Sequence, residues 1–162
     1  MNGNQSSEPV LFEDPMANYE PRVYSSDLER ALGEEEVASI PSQPFVVIGP
    51  DATVRDALQV LADHKVSSLL VVEDGQLQGI LTERDVLERV AERYPKVSER
   101  PVREVMTTNP TVVYETDPAA AAAAAIAVAG HRHVPVLRLD GSVAGIVGPR
   151  RMMTFIRSRD LG

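Results

Sequence analysis

Beyond about residue 34 the sequence repeats itself, and a repeat of this length decides most of what the chain can fold into. Phe45-Val46-Val47-Ile48 answers Thr111-Val112-Val113-Tyr114, Asp51 answers Asp117, Asp74-Gly75 answers Asp140-Gly141, and Gly79-Ile80 answers Gly145-Ile146, each pair 66 residues apart. Between these anchors the offset slips to 65, because Leu69 matches Val134. The second copy therefore has one residue fewer around its first helix and one more in its hairpin turn. In a chain of 162 residues, units of roughly 60 residues are too small to bury much apolar surface separately, so two copies must share a core. Aromatic residues make up only 4% and Trp is absent, which leaves Val, Ala, Leu and Ile to fill it.

Each unit reads as strand, helix, strand, hairpin turn, strand, helix. In the first, Val46 to Ile48 is a short β-branched run. Thr53 then caps a helix whose Val54, Ala57, Leu58 and Leu61 fall at i, i+3, i+4 and i+7, with Asp56 at the capping-box position. Leu69 to Val72 is a continuous apolar strand, Asp74-Gly75 supplies the positive φ of a tight turn, and Leu77 to Leu81 returns. Thr82 opens a second helix, Glu83 to about Arg93, with Val86, Leu87 and Val90 as its apolar stripe. The second unit starts an alanine-rich helix at Asp117-Pro118, has strands at Val134 to Leu139 and Val143 to Val147, and ends in a helix from Pro149 to about Ser158. Tyr94 to Arg100, polar and interrupted by Pro95, reads as the linker. The alanine helix is expected to lie close against its partner repeat or another chain; a merely strong helix former is the alternative.

Residues 1–33 carry Asn, Ser, Glu and prolines at 9, 15 and 21 without a sustained period, and read as a flexible or loosely docked arm. A short helix from Asp27 to Val37 is expected within it, capped by Ser26. The domain expectation is an arm over 1–33, one unit over 34–94 and another over 95–160.

A net charge of −8 argues against an electrostatic grip on nucleic acid or an anionic membrane. The absence of Cys excludes disulfides, thiol catalysis and Cys-ligated zinc. No basic-then-apolar leader and no long apolar span are visible, so a cytoplasmic setting is the default expectation. His131 and His133 alternate, but two histidines without a third ligand do not make a metal site. Arg150, Arg151, Arg157 and Arg159 cluster near the C-terminus, as at the positive end of a solvated helix or a phosphate contact.

Val66-Ser67-Ser68-Leu69-Leu70-Val71-Val72-Glu73-Asp74-Gly75, followed by Gly79-Ile80-Leu81-Thr82-Glu83-Arg84-Asp85, resembles the core of a CBS domain, which ends in Gly-hydrophobic-x-Thr-x-x-Asp. Val102-Arg103-Glu104-Val105-Met106-Thr107 and Arg132-His133-Val134-Pro135-Val136 extend the resemblance, which runs from about Glu34 to Ile156. It implies an α/β (α+β) fold: tandem CBS domains, each a small three-stranded sheet with two helices, related by a pseudo-two-fold axis. It also implies a ligand cleft between the repeats, in which Thr82 and Asp85 face the ribose of an adenosyl ligand while Gly79, Ile80 and Leu81 line the approach. A carboxylate can accept two hydrogen bonds from vicinal hydroxyls, so the chemistry suits the residues. The alternative for Thr82 and Asp85 is a helix cap with an acid at its third position.

Carried over from the family, the opposite wall of this cleft comes from Thr111, Arg132, His133 and Val134, with Val134 and Ile80 flanking the base and Arg132 and His133 meeting phosphate. The second copy departs from the pattern at Gly145-Ile146-Val147-Gly148-Pro149-Arg150-Arg151: Gly148 stands where Thr is expected and Arg151 where Asp is. An arginine cannot accept from ribose hydroxyls. The expectation is one good site per chain and a second, altered cleft of Ser67, Ser68, Gly148 and Arg151.

The functional expectation is a non-catalytic regulatory module, a homodimer with no required cofactor. It binds AMP, ADP or ATP, with S-adenosylmethionine or NAD as alternatives, and signals to a regulated protein; neither nucleic acid nor membrane is an expected partner. A structural dimerisation adaptor with a vestigial site is the competing reading. No nucleophile-base pairing and no G-x-x-x-x-G-K-[ST] loop suggests an enzyme.

Overall fold

The computed structural model describes residue 14 and residues 16–160. Two sheets carry the repeat. The first orders β1 (Val47–Ile48), β2 (Ser68–Glu73), β3 (Gln76–Thr82) and β4 (Thr107–Thr108), with β1 parallel to β2 and the rest antiparallel. The second orders β5 (Val113–Tyr114), β6 (Val134–Leu137) and β7 (Val143–Val147) in the same sense. A register irregularity falls at Val71/Val72 in one sheet and at Val136/Leu137 in the other, the same place in each copy. The first sheet thus has one strand more than the repeat alone predicts.

The hairpins differ by the one residue that shifts the offset. Asp74 (φ 50°) and Gly75 (φ 76°) form a two-residue turn with both φ positive, whose twist matches that of the strands. In the second copy Arg138 N–H donates to Ser142 O at 2.8 Å around a longer loop, with Gly141 at φ 83°. The strand expected to reach Leu139 therefore stops at Leu137, and Leu139 is exposed.

Helices α1 (Asp27–Glu34), α2 (Val54–His64), α3 (Glu83–Asp85), α4 (Tyr94–Val97), α5 (Ala119–Ala127) and α6 (Pro149–Asp160) complete the architecture. Thr53 caps α2 and Ser26 caps α1, each accepting a first-turn N–H. The helix expected over Glu83 to Arg93 begins as α3, widens into a π-helical turn over Val86–Val90, where Ala91 N–H reaches back to Val86 O, and tightens over Ala91–Arg93. The expected linker is not an open tether. Its first half is α4, Ser98 is buried, and the carbonyls of Ser98 and Arg100 accept the N–H groups of Arg55 and Val54 at 2.9 Å.

The segments leading into each repeat dock on the other repeat. Val37 and Ile40 lie in the core with Val113, Val134, Val136, Met152 and Phe155, whereas Val102 and Val105 lie in the core with Val54, Leu61, Leu69, Val71 and Leu81. The exchange obeys the repeat: Val102 N–H donates to Ala52 O and Val37 N–H to Asp117 O, both at 2.8 Å. Each core thus contains chain from both halves, which is how units this small bury enough apolar surface.

This exchange explains why the helix expected to reach Val37 ends at Glu34. Glu35 turns extended, and its carbonyl accepts Ala119 N–H at 2.8 Å, opening α5. The expected arm is docked over this stretch, because α1 packs on α5 and α6 with Ala31 buried; residues 1–13 and 15 lie outside the described part. The alanine helix is covered by α1, by the 37–39 turn and by α6, so its small side chains admit the N-terminal segment of its own chain.

Candidate functional site

Thr82 ends β3 and caps α3, and its spacing to Asp85 forms a reciprocal capping box. Thr82 Oγ1 accepts Asp85 N–H at 3.2 Å, while Asp85 Oδ2 accepts the N–H and the hydroxyl of Thr82 at 2.9 and 3.0 Å. The other oxygen, Oδ1, accepts the Thr107 hydroxyl at 2.8 Å and faces Arg89 Nη1 at 3.6 Å. Asp85 is only 5% exposed, so this set of donors is what keeps a buried carboxylate stable. Of the two roles weighed for Thr82 and Asp85, the structure shows the cap, and that cap fixes the position of the carboxylate.

The wall from the other repeat approaches through His133, whose Nε2 lies 2.8 Å from Ser67 Oγ. Burial and the neighbouring Arg132 hold the His133 imidazole below the usual histidine range, and the acids Glu83 and Asp85 oppose them weakly. The contact with Ser67, which is bonded to Glu83 at the start of α3, brings His133 to the Thr82–Asp85 side. Ser67, expected in the altered cleft, is brought instead to this one; its carbonyl accepts Glu83 N–H at 3.0 Å. The two residues bridge the repeats where β2 and β6 begin.

Other expected residues are placed differently. Val134 is fully buried in the core of the second repeat with Val136, so its side chain cannot flank a base. Alternation along β6 turns Pro135 to the face that Val134 leaves. Ile80 is buried but pairs with Leu70 outside the core cluster that takes Leu69, Val71 and Leu81, so it stands on the face away from that core. Leu81, fully buried in that core, offers the cleft only backbone. Gly79 admits β4 and not a ligand: a Cβ there would lie 2.6 Å from Thr107 O. Thr111 Oγ1 contacts His131 Nε2 at 2.9 Å and makes no bond to the Thr82–Asp85 network. Arg132 is exposed and makes no ion pair among the described residues.

In the second copy Arg151 turns away from the role of an acceptor. Its guanidinium donates to Ile146 O at 2.7 Å and to Pro44 O at 2.5 Å, filling the place that Asp85 occupies in the first copy with the chain's own hydrogen bonds. Gly148 lets the Arg132 carbonyl come within 2.6 Å of where a Cβ would stand, and Pro149 has no N–H to offer that carbonyl as Glu83 does to Ser67. Ser68 pairs with Thr82 at the start of β2, and neither serine is hydrogen-bonded to Arg151 among the described residues. Of the C-terminal arginines, Arg159 is engaged: it pairs with Glu35 at 2.9 and 2.6 Å and lies over the Phe155 ring.

Sequence reasoning missed Thr107 and Arg89. Arg89 Nη1 donates to the carbonyls of Val105 and Met106 at 3.1 and 2.8 Å, pinning the segment that presents Thr107. The i,i+4 spacing of Asp85 and Arg89 was a visible signal for one; nothing local marks the other. Among the described residues, no helix is long and apolar enough to cross a membrane.

The sequence matches the CBS domain family twice, over residues 37–92 and 102–158. An uncharacterized 17.7 kDa protein of Acidianus ambivalens is 28% identical over 71% of this chain and 69% of its own length. The CBS domain-containing protein CBSCBSPB1 of Arabidopsis thaliana is 30% identical over 77% of this chain, which spans only 23% of that protein. Among solved structures, CBSX2 in complex with AMP superimposes with a TM-score of 0.66 at 25% identity, covering 76% of this chain and 97% of that one. With two matched copies, two sheets of one topology and lead-in segments exchanged between them, the chain belongs to the CBS domain family and carries a tandem pair.

Proposed function

We propose that this pair is a non-catalytic regulatory module that binds one adenine nucleotide or other adenosyl ligand per chain. The ligand sits in the cleft between Thr82–Asp85 of the first repeat and Arg132–His133 of the second. The observation that carries the reading is a buried carboxylate held at a helix start, whose neighbour Glu83 is bonded to Ser67, the residue that meets His133 of the other repeat. The carboxylate suits a ribose diol, and Arg132 suits a phosphate. The AMP complex of CBSX2 supports the ligand class. Binding across the repeats favours one relative arrangement of them, and a partner protein reads that arrangement, as differential affinity for two conformations allows. A homodimer is part of the proposal.

Calorimetry with AMP, ADP, ATP, S-adenosylmethionine and NAD tests it. At least one should bind near one per chain, and Asp85→Ala should abolish the heat. Silence from all five overturns the reading.

A second reading, a structural dimerisation adaptor, is favoured by one observation: Asp85 already has donors on both oxygens from its own chain. A dimer in sedimentation whose melting temperature no adenosyl ligand shifts would support it.

A further inference from the structure

We infer that Thr107 is a gate on the ribose site, a hydroxyl that occupies Asp85 until a ligand diol displaces it and thereby frees the β4 segment. The inference rests on the proposal that Asp85 accepts the ribose hydroxyls, and goes beyond it by naming the residue that competes for them and the element that responds.

A carboxylate has about four acceptor positions. On Asp85, Oδ2 is filled by the N–H and the hydroxyl of Thr82, and Oδ1 already takes the Thr107 hydroxyl. Arg89 at 3.6 Å contributes charge without a hydrogen bond, so one position stays open. A vicinal diol brings two donors. One hydroxyl takes the open position, and the other must displace a hydroxyl already there. Thr82 is held in both directions, because its oxygen also accepts Asp85 N–H. Thr107 has no such second bond among its side-chain contacts, and it is partly exposed. Thr107 is therefore the group that yields.

Its release reaches a particular element. β4 is two residues long, paired to β3 at Gly79 and Ile80, and lies where the chain leaves the core of the first repeat for β5. Apart from that pairing its hydrogen bond to the first repeat is Thr107 on Asp85; just upstream, Val105 is packed in that repeat's core and Arg89 holds the Val105 and Met106 carbonyls. Both ties converge on the one carboxylate that the ligand would engage. The second repeat has no counterpart, because Arg151 there donates directly to backbone carbonyls.

The test is the AMP affinity of Thr107→Val, Thr107→Ala and Thr107→Ser against the wild type, read with amide exchange over residues 105–108. Removing the competing hydroxyl should tighten AMP binding about 2- to 10-fold in the Val and Ala variants, the worth of one hydrogen bond. Thr107→Ser should bind as the wild type does. Saturating AMP should speed exchange over 105–108 by about fivefold, since the bond that AMP removes is worth that much. A buried structural hydroxyl would give the reverse, with weaker binding in Val and Ala. Unchanged or weaker binding in both variants, with the wild type binding AMP, overturns the gate alone. A wild type that binds no adenosyl ligand overturns the gate together with the proposed function.

Discussion

The two repeats agree in backbone and disagree in the side chains that end their β-hairpins. Their lead-in segments cross over with matching hydrogen bonds, 2.8 Å from Val102 to Ala52 and from Val37 to Asp117. Gly79 and Gly145 each give way to the other segment crossing their strand, Thr107 in one case and Ser42 in the other. Yet Asp85 gathers donors around a buried negative charge, while Arg151 spends its own donors on carbonyls. The scaffold needs both copies because each core is built from both. The proposed site asks for an acceptor in only one copy, and in the other Arg151 serves as an internal strut.

The largest break in that comparison should come from the carboxylate. Asp85→Ala leaves the Thr82 N–H, two hydroxyls and the Arg89 charge without their acceptor, and should cost about 3 kcal/mol of stability in urea titration. An equal cost for Arg151→Ala would mean that the two positions are structural equivalents after all.

The glycines test the part that is shared. A Cβ at Gly79 would meet Thr107 O at 2.6 Å, and one at Gly145 would meet Ser42 O at 2.6 Å, backbone in both cases. Gly79→Ala and Gly145→Ala should therefore destabilise alike, by about 1–3 kcal/mol. Gly49, where a Cβ meets nothing, is the control and should stay near wild type on substitution by Ala. A large cost at one glycine only would show that one lead-in can shift and the other cannot.

Arg151→Ala should have a smaller effect, about 1 kcal/mol, because the Pro44 and Ile146 carbonyls it leaves are near enough to solvent to be rehydrated. Nucleotide binding should not change.

Much of this was legible in the sequence because it is local. Caps at Thr53 and Ser26, the Asp74-Gly75 turn and the Thr82–Asp85 spacing depend on neighbours a few residues away, and each stands where the pattern puts it. The crossing of the lead-in segments could not be read, since Val37 and Val102 look like ordinary apolar residues of their own repeats. Thr107 was hidden for the same reason: its partner lies 22 positions earlier, across a strand pairing that no period reveals. Val134 was misplaced by a single step of strand alternation, which sends it to the core and leaves Pro135 on the other face.

His133 marks the least of the differences, and the asymmetry predicts its sign. At the equivalent position the first repeat has Ser68, which does not titrate, so any pH response of the junction between repeats comes from one side. Burial and Arg132 depress the His133 pKa, with Glu83 and Asp85 opposing and the neutral Ser67 in contact. Above a pH of about 6.5, the ordinary histidine value, neither state is protonated at this site. Below it the unfolded chain takes up a proton before the folded one does, so the stability present at higher pH is lost as pH falls toward the folded value. Urea midpoints at about pH 7.5, 6.5 and 5.5 should fall more steeply in the wild type than in His133→Gln, which keeps a hydrogen-bonding group near Ser67 without a proton to gain. Parallel slopes would mean that the ring is solvated in the folded state and that the junction is as indifferent to pH on this side as on the other.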